Sequence, residues 1–295
     1  MNIDLTAATT FMAGHARVLD RRRFELLMGE TDTTAVLAAL EAYRNPDNGY
    51  GWGLEPDLRS PESQPGAALH AFEVFEEVAP ATTPRAAELC DWLQTISLPD
   101  GGVPFALPLT FTTASAPWWA GADTSTSALQ ISAISTAAAH RVAAHDPAVA
   151  AHPWLARATR YCLDQIAALD EAPPAYILSF AIHVLDAVHD THPEAPELLQ
   201  RMGKYVPADG KVHVEGGTED EYLRPLDFAP YPDRPARSLF APEAIAADLD
   251  RLAGEQKDDG GWTVEYAKIS PAGVLDWRGA ITVHNLQLLR RNGRI

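Results

Sequence analysis

Only two cysteines occur in 295 residues, Cys90 and Cys162. That is too few for a disulfide framework or a four-cysteine zinc site. Both fall inside apolar helical patterns and read as buried thiols. Basic residues are also scarce: 23 Lys and Arg face 40 Asp and Glu, a net charge of −17. A field of that sign repels phosphate backbones, which argues against nucleic acid as a partner. It equally repels the anionic face of a cytoplasmic leaflet. No stretch approaches ~18 apolar residues without a charge, so no transmembrane helix is expected. The opening Met1-Asn2-Ile3-Asp4-Leu5 lacks the basic start and apolar run of a signal peptide, so the expected location is cytoplasmic. There is no glycine-rich phosphate loop ending in Lys-Ser/Thr and no Gly-x-Ser-x-Gly elbow.

What remains is ordinary globular material, 46% hydrophobic and 21% charged, long enough to bury a core without staples. It repeats itself. Similar turns recur at Asn45-Pro46-Asp47-Asn48-Gly49-Tyr50, Pro99-Asp100-Gly101-Gly102-Val103, Pro207-Ala208-Asp209-Gly210 and Asp258-Asp259-Gly260-Gly261-Trp262. Their aspartates stand at 47, 100, 209 and 259, so the gaps are 53, 109 and 50. The double gap implies one decayed turn, placed at Leu169-Asp170-Glu171-Ala172-Pro173-Pro174. A period near 53 accommodates two helices and two loops.

The segments before the turns, 33–43, 86–96, 156–169 and 242–256, read as helices. The segments after them, near 67–75, 123–139, 175–188 and 282–289, read as helices that are more apolar. A helix that is apolar all round is a buried one, so the second set is expected to form an inner ring and the first an outer ring. Residues 6–27 supply a further helix that closes the ring. No convincing strand appears. Residues 205–240 are rich in proline and aromatics and read as a long ordered insertion. The expectation is one all-α domain over 1–295, an α/α toroid of five to six helical hairpins.

The Asp-Gly-Gly-aromatic turns, each after a helix ending near Leu-Gln, resemble the repeats of the terpenoid cyclase and protein prenyltransferase superfamily. The best matches run from Trp92-Leu93-Gln94 to Phe105 and from Glu255-Gln256 to Trp262. The period extends the resemblance over most of the chain. It implies a toroid with a central cavity for an apolar substrate. The segment Gly121-Ala122-Asp123-Thr124-Ser125-Thr126 is similar to the acid motif of class II cyclases, whose middle aspartate protonates an alkene or epoxide. Asp123 matches the first aspartate of that motif, and Ser125 and Thr126 stand where the acid and its neighbour belong. The prenyltransferase zinc site does not carry over, because both cysteines fall on outer helices. There is no Asp-Asp-x-x-Asp metal motif, so neither a metal nor another cofactor is expected.

In a toroid the loops from outer to inner helices share one rim, and polar residues scattered in sequence converge there. Three carboxylates are candidate acids: Glu55 and Asp57, which flank the stiff Pro56, and Asp123. Two carboxyls so close under Trp52 push their proton affinities apart. Trp52, Trp118, Trp119, Phe228, Tyr231, Trp262 and Trp277, with Asp227 and Asp276, are candidate substrate contacts. Aromatic faces stabilise a carbocation by roughly 0.5–2 kcal/mol each, and equally stack on sugar rings. Arg59 and Arg278 are candidate anchors at the rim. Each of these residues also has a plainer role open to it, as a plug, a helix cap or a turn. The expected function is acid-initiated cyclisation or isomerisation of an isoprenoid or similar apolar molecule. A carbohydrate-active α/α-barrel enzyme with paired carboxylates is one alternative. A non-catalytic toroid that binds lipid or protein is another.

Overall fold

The computed structural model describes residues 3–295 and is 56% helical. Its helices run, in chain order, α1 Leu5–His15, α2 Val18–Met28, α3 Thr33–Leu40, α4 Pro65–Glu77, α5 Pro84–Ile96, α6 Pro117–Ala120 and α7 Leu129–Ala143. They continue with α8 Pro147–Ala150, α9 Pro153–Ala167, α10 Ala175–Val188, α11 Ala195–Gly203, α12 Pro225–Phe228, α13 Pro242–Gly254 and α14 Pro271–Arg291. The fold is all-α. Among the described residues the strands are β1 Val212–His213 and β2 Tyr222–Leu223, an antiparallel pair inside the 205–240 insertion. Where a single domain is expected from the sequence, contacts gather into two compact units, 40–202 and the combination of 1–39 with 203–295.

In the first of these units α4, α7 and α10 lie side by side, with α9 packed on α7 and α10. The middle helix explains the packing. From Ile131 to Ala139 every residue of α7 is buried, and most are Ala, Ser or Thr. Small side chains around the whole circumference let neighbours approach closely. Phe72 of α4 stacks on Trp154 of α9 with ring centres 6.0 Å apart. Arg141 of α7 reaches Glu76 of α4 at 2.7 Å. In the second unit α14 packs against α1 and α2, and α13 against α12 and α14. A methyl group on Gly279 of α14 would lie 3.1 Å from the Ala16 Cβ and 3.2 Å from the Asp20 carboxylate, so these segments meet nearly backbone to backbone. Asp20 is fully buried and paired with Arg17 at 2.8 Å and Arg23 at 3.1 Å.

The recurring turns share one local geometry. Each aspartate accepts the N–H two residues on: Asp47 from Gly49 at 3.0 Å, and Asp100 from Gly102, Asp209 from Lys211 and Asp259 from Gly261, each at 3.1 Å. The residue after each aspartate is left-handed: Asn48 at φ 73°, Gly101 at 96°, Gly210 at 73° and Gly260 at 92°. Asparagine and glycine are the residues that tolerate this region. Two turns are tied to the following long helix by a hydroxyl. The Val103 N–H donates to Ser132 of α7, and the Trp262 N–H to Thr282 of α14, both at 3.0 Å.

Three boundaries differ from those expected. Residues 121–128 are not helical, and α7 starts at Leu129. The last helix starts at Pro271, where Ser270 caps the N–H of Gly273, rather than near 282. Residues 6–27 form two helices, because Ala16 and Arg17 adopt extended backbone between α1 and α2.

Candidate functional site

The loop between the first turn and α4 is unusual in burying its charges. Residues 53–58, Gly-Leu-Glu-Pro-Asp-Leu, are all buried. The backbone folds on itself through Leu54 N–H to Gly51 C=O, Leu58 N–H to Glu55 C=O and Trp52 N–H to Ser60 C=O, at 3.0, 3.0 and 2.9 Å. Ala116 N–H from the next loop donates to the Asp57 carbonyl at 2.8 Å. Glu55 therefore has a fixed position, and both of its oxygens are used. One accepts the Asp57 N–H at 2.9 Å, and the other lies 2.9 Å from Nε2 of His70 on α4. The second ring nitrogen of His70 lies 2.7 Å from Glu73, one helical turn further on.

Burial opposes a charge on His70, but the adjacent Glu73 and Glu55 outweigh it and lift its pKa to about 10. The ring is therefore an imidazolium at neutral pH, donating to a carboxylate on each side. The result is a carboxylate–imidazolium–carboxylate chain with Asp57 beside it. Glu55 and Asp57, both expected at the site, are both buried here, and the Asp57 backbone N–H donates to the Glu55 side chain. His70 and Glu73 were not among the residues singled out. The available signal was their spacing of three on a helix that follows an acidic loop.

The other predicted residues of this unit part company. Asp123 is exposed. Hydrogen bonds from the Ser125 and Thr126 hydroxyls, both at 2.6 Å, and from the Ser125 N–H hold its pKa down to about 2. It carries no proton to donate at neutral pH, and its fragment is a self-contained turn. Trp119 is buried and stacks on Phe105 at 4.4 Å, so it serves the packing. Trp118 is 43% and Trp52 59% exposed. The Trp52 indole N–H donates to Asn45 at 2.8 Å, which fixes the ring while leaving it open. Arg59 runs alongside Gly53.

The predicted contacts of the other unit have the following surroundings. Trp262 is buried, its indole N–H donating to the Leu252 carbonyl at 2.8 Å. Arg278 holds the Trp262 carbonyl at 3.1 Å and Asp259 at 2.7 Å, and lies over the Phe11 ring. These contacts brace the last turn. Phe228 is buried against Phe240. Asp227 accepts the Arg224 N–H at 2.7 Å at the start of α12. Arg291 covers the Tyr231 ring. Trp277 meets Tyr266 edge-on at 5.4 Å and is half-buried beside Asp276.

Cys90 and Cys162 are buried and free, and burial raises both thiols, Cys162 to about 12, so neither is a thiolate nucleophile at neutral pH. Among the described residues no group of three His, Cys, Asp or Glu side chains is arranged to hold a metal ion. Among the same residues no helix is long and apolar enough to cross a membrane.

No family model matches the chain, and no curated protein matches it. A solved structure, a protein from Actinoplanes, is similar over 97% of this chain and 90% of its own, with a TM-score of 0.53 and 17% identity. At that identity the likeness extends to the fold alone.

Proposed function

We propose that this chain is an enzyme of acid–base chemistry acting on an uncharged apolar substrate, by acid-initiated cyclisation or isomerisation of an isoprenoid. The observation that carries this reading is the part-buried Glu55–His70–Glu73 chain, with the buried Asp57 bonded to Glu55 through its backbone N–H. Glu55 is engaged on both oxygens, and the delivered proton is assigned to Asp57, the buried carboxyl two residues on. That proton passes to an alkene carbon or epoxide oxygen of the substrate, and a proton lost from the resulting cation closes the cycle. His70 and Glu73 position Glu55. The repeated turns support the helical hairpins as units of an α/α toroid, in which such a site faces a central cavity. The net charge of −17 favours a neutral substrate over a diphosphate.

The test is product formation from farnesol, geranylgeraniol and squalene by the purified protein. Asp57→Asn should lower turnover by about 10²–10⁴-fold, the usual contribution of a positioned proton donor. Undiminished turnover in that variant would remove Asp57 from the mechanism. A second reading, a carbohydrate-active enzyme, is favoured by the open faces of Trp52 and Trp118. It predicts new reducing ends from oligosaccharides and no change in the isoprenoids.

A further inference from the structure

Asp57 is only 4% exposed and Glu55 6%. A proton donor must come within hydrogen-bond reach of the atom it protonates, so a substrate can meet Asp57 only after something uncovers it. The turn that carries these carboxyls is closed on itself by backbone hydrogen bonds and tied to α4 through His70. The segment laid on that turn is built differently. From Ser97 to Ala128 the chain is irregular apart from the four residues of α6. Irregular segments of that length in a compact unit are usually functional. Two anchors fix it. Gln64 holds the N–H and the carbonyl of Leu107, at 2.8 and 3.3 Å. Trp119 is buried, stacked on Phe105 and seated on α4, where a methyl group on Gly66 would lie 2.9 Å from its ring.

Between these anchors two hydrogen bonds tie the segment to the acid-bearing loop. Thr110 N–H donates to the Glu62 carboxylate at 3.2 Å, and Ala116 N–H to the Asp57 carbonyl at 2.8 Å. Residues 108–118 carry no charged side chain and so add no ion pair of their own, and most of them are exposed. The arrangement also carries costs. Ala114 is left-handed at φ 61°, a conformation unfavourable for alanine. The buried Ser115 hydroxyl has no hydrogen-bond partner among the described residues. A segment held by few bonds, and relieved of strain when it lifts, is suited to opening. We propose that residues 108–118 are a gate over the acid-bearing turn, latched by Glu62 and the Asp57 carbonyl and hinged at Leu107 and Trp119. Closed, it keeps water from Asp57; open, it admits the substrate. The gate rests on the proposed role of Asp57 as the acid and not on which substrate is protonated.

Labelling with dicyclohexylcarbodiimide at mildly acidic pH tests it without turnover. This apolar reagent adds to a protonated carboxyl with no leaving group, and peptide mass spectrometry locates the adduct, which Asp57→Asn should lack. Glu62→Ala removes the latch. It should speed the labelling of Asp57 by about tenfold, the effect of one lost hydrogen bond to a carboxylate on an opening equilibrium. Amide hydrogen exchange in 108–118 should accelerate in parallel while that of α7 stays unchanged. Glu62→Gln keeps an acceptor for the Thr110 N–H and should return both rates toward the wild type. Ala114→Val adds strain at an exposed position away from the latch and should act like Glu62→Ala, which keeps the test intact if either variant folds poorly. Faster exchange in 108–118 with no change in Asp57 labelling overturns the gate. So does exchange in 108–118 that neither folded variant alters. Labelling that responds as expected while Asp57→Asn keeps full turnover leaves the gate standing and removes Asp57 as the acid, so the two failures are distinct.

Discussion

His70 holds a proton where burial alone would remove it, and His140 lacks one for the complementary reason. His140 sits in the last turn of α7, its Nε2 2.7 Å from the Thr159 hydroxyl and its ring 6.4 Å from His192. Burial, then the nearby His192 and Arg141, lowers it to about 4. The two residues act on stability in opposite pH ranges. His70 is raised above its unfolded value, so its contribution is complete below about pH 6.5 and is lost as the pH climbs through about 10. His140 is depressed, so the unfolded chain takes up its proton first, and stability falls as the pH drops from about 6.5 toward about 4. Urea midpoints should therefore peak between these limits. His70→Gln should flatten the alkaline decline and His140→Gln the acid one. Unchanged limbs in both variants would show that neither ring is coupled to folding. Glu55 and Asp57 were visible in the sequence because Pro56 joins them. The role of His70 was not, because its carboxylate partner lies fifteen positions earlier on a loop whose path only the tertiary fold sets.

At the scale of elements, punctuation decides what can be read. The helix at 175–188 is bounded as expected because Pro173 and Pro174 stop one pattern and an apolar run starts the next. The helices at 84–96 and 242–254 begin at Pro84 and Pro242, residues preorganised for a first turn. The error near Asp123 has the same physical root. Ser, Thr and Asp satisfy backbone groups locally and compete with helix, so residues that look like an N-cap and first turn form a separate loop. The turns themselves were legible from their aspartates and glycines, but the left-handed glycines of the chain are not equivalent. Gly260 is left-handed, and a Cβ there would lie 2.1 Å from the Ala7 carbonyl carbon. Gly216 is also left-handed, but a Cβ there would meet nothing within 4 Å. Gly216→Ala should thus cost only the conformational penalty, about 1–2 kcal/mol. Gly260→Ala adds a backbone clash that forces α1 away from the last turn, and should cost more than about 3 kcal/mol, in the range of severe substitutions. Equal losses in denaturant titrations would mean that α1 yields freely.

At the scale of the molecule, the chain ends belong to one compact unit and the middle to another. The repeat was visible in sequence, but this division was not, since a periodic pattern treats every hairpin alike. The pairing of the ends rests on specific contacts. Gln256 exchanges hydrogen bonds with the Asp4 backbone at 2.8 and 2.9 Å. Gly260 and Gly261 are seated on Ala7 and Phe11, Gly279 on Ala16, and Arg290 bonds the Leu27 carbonyl. Residues 203–295 alone would expose the face of α14 that α1 and α2 cover, and the Trp262 turn would lose Phe11 beneath it. A fragment of 203–295 should accordingly show no cooperative thermal transition by circular dichroism. Adding a peptide of 1–39 in trans should restore one, because the lost contacts are intermolecularly available and only chain connectivity is missing. Its midpoint should rise with peptide concentration, and Phe11→Ala in the peptide should weaken the effect by removing the ring under Gly261. A fragment 203–295 that melts cooperatively by itself would mean that the C-terminal helices hold their own core and that the N-terminal pair is an accessory.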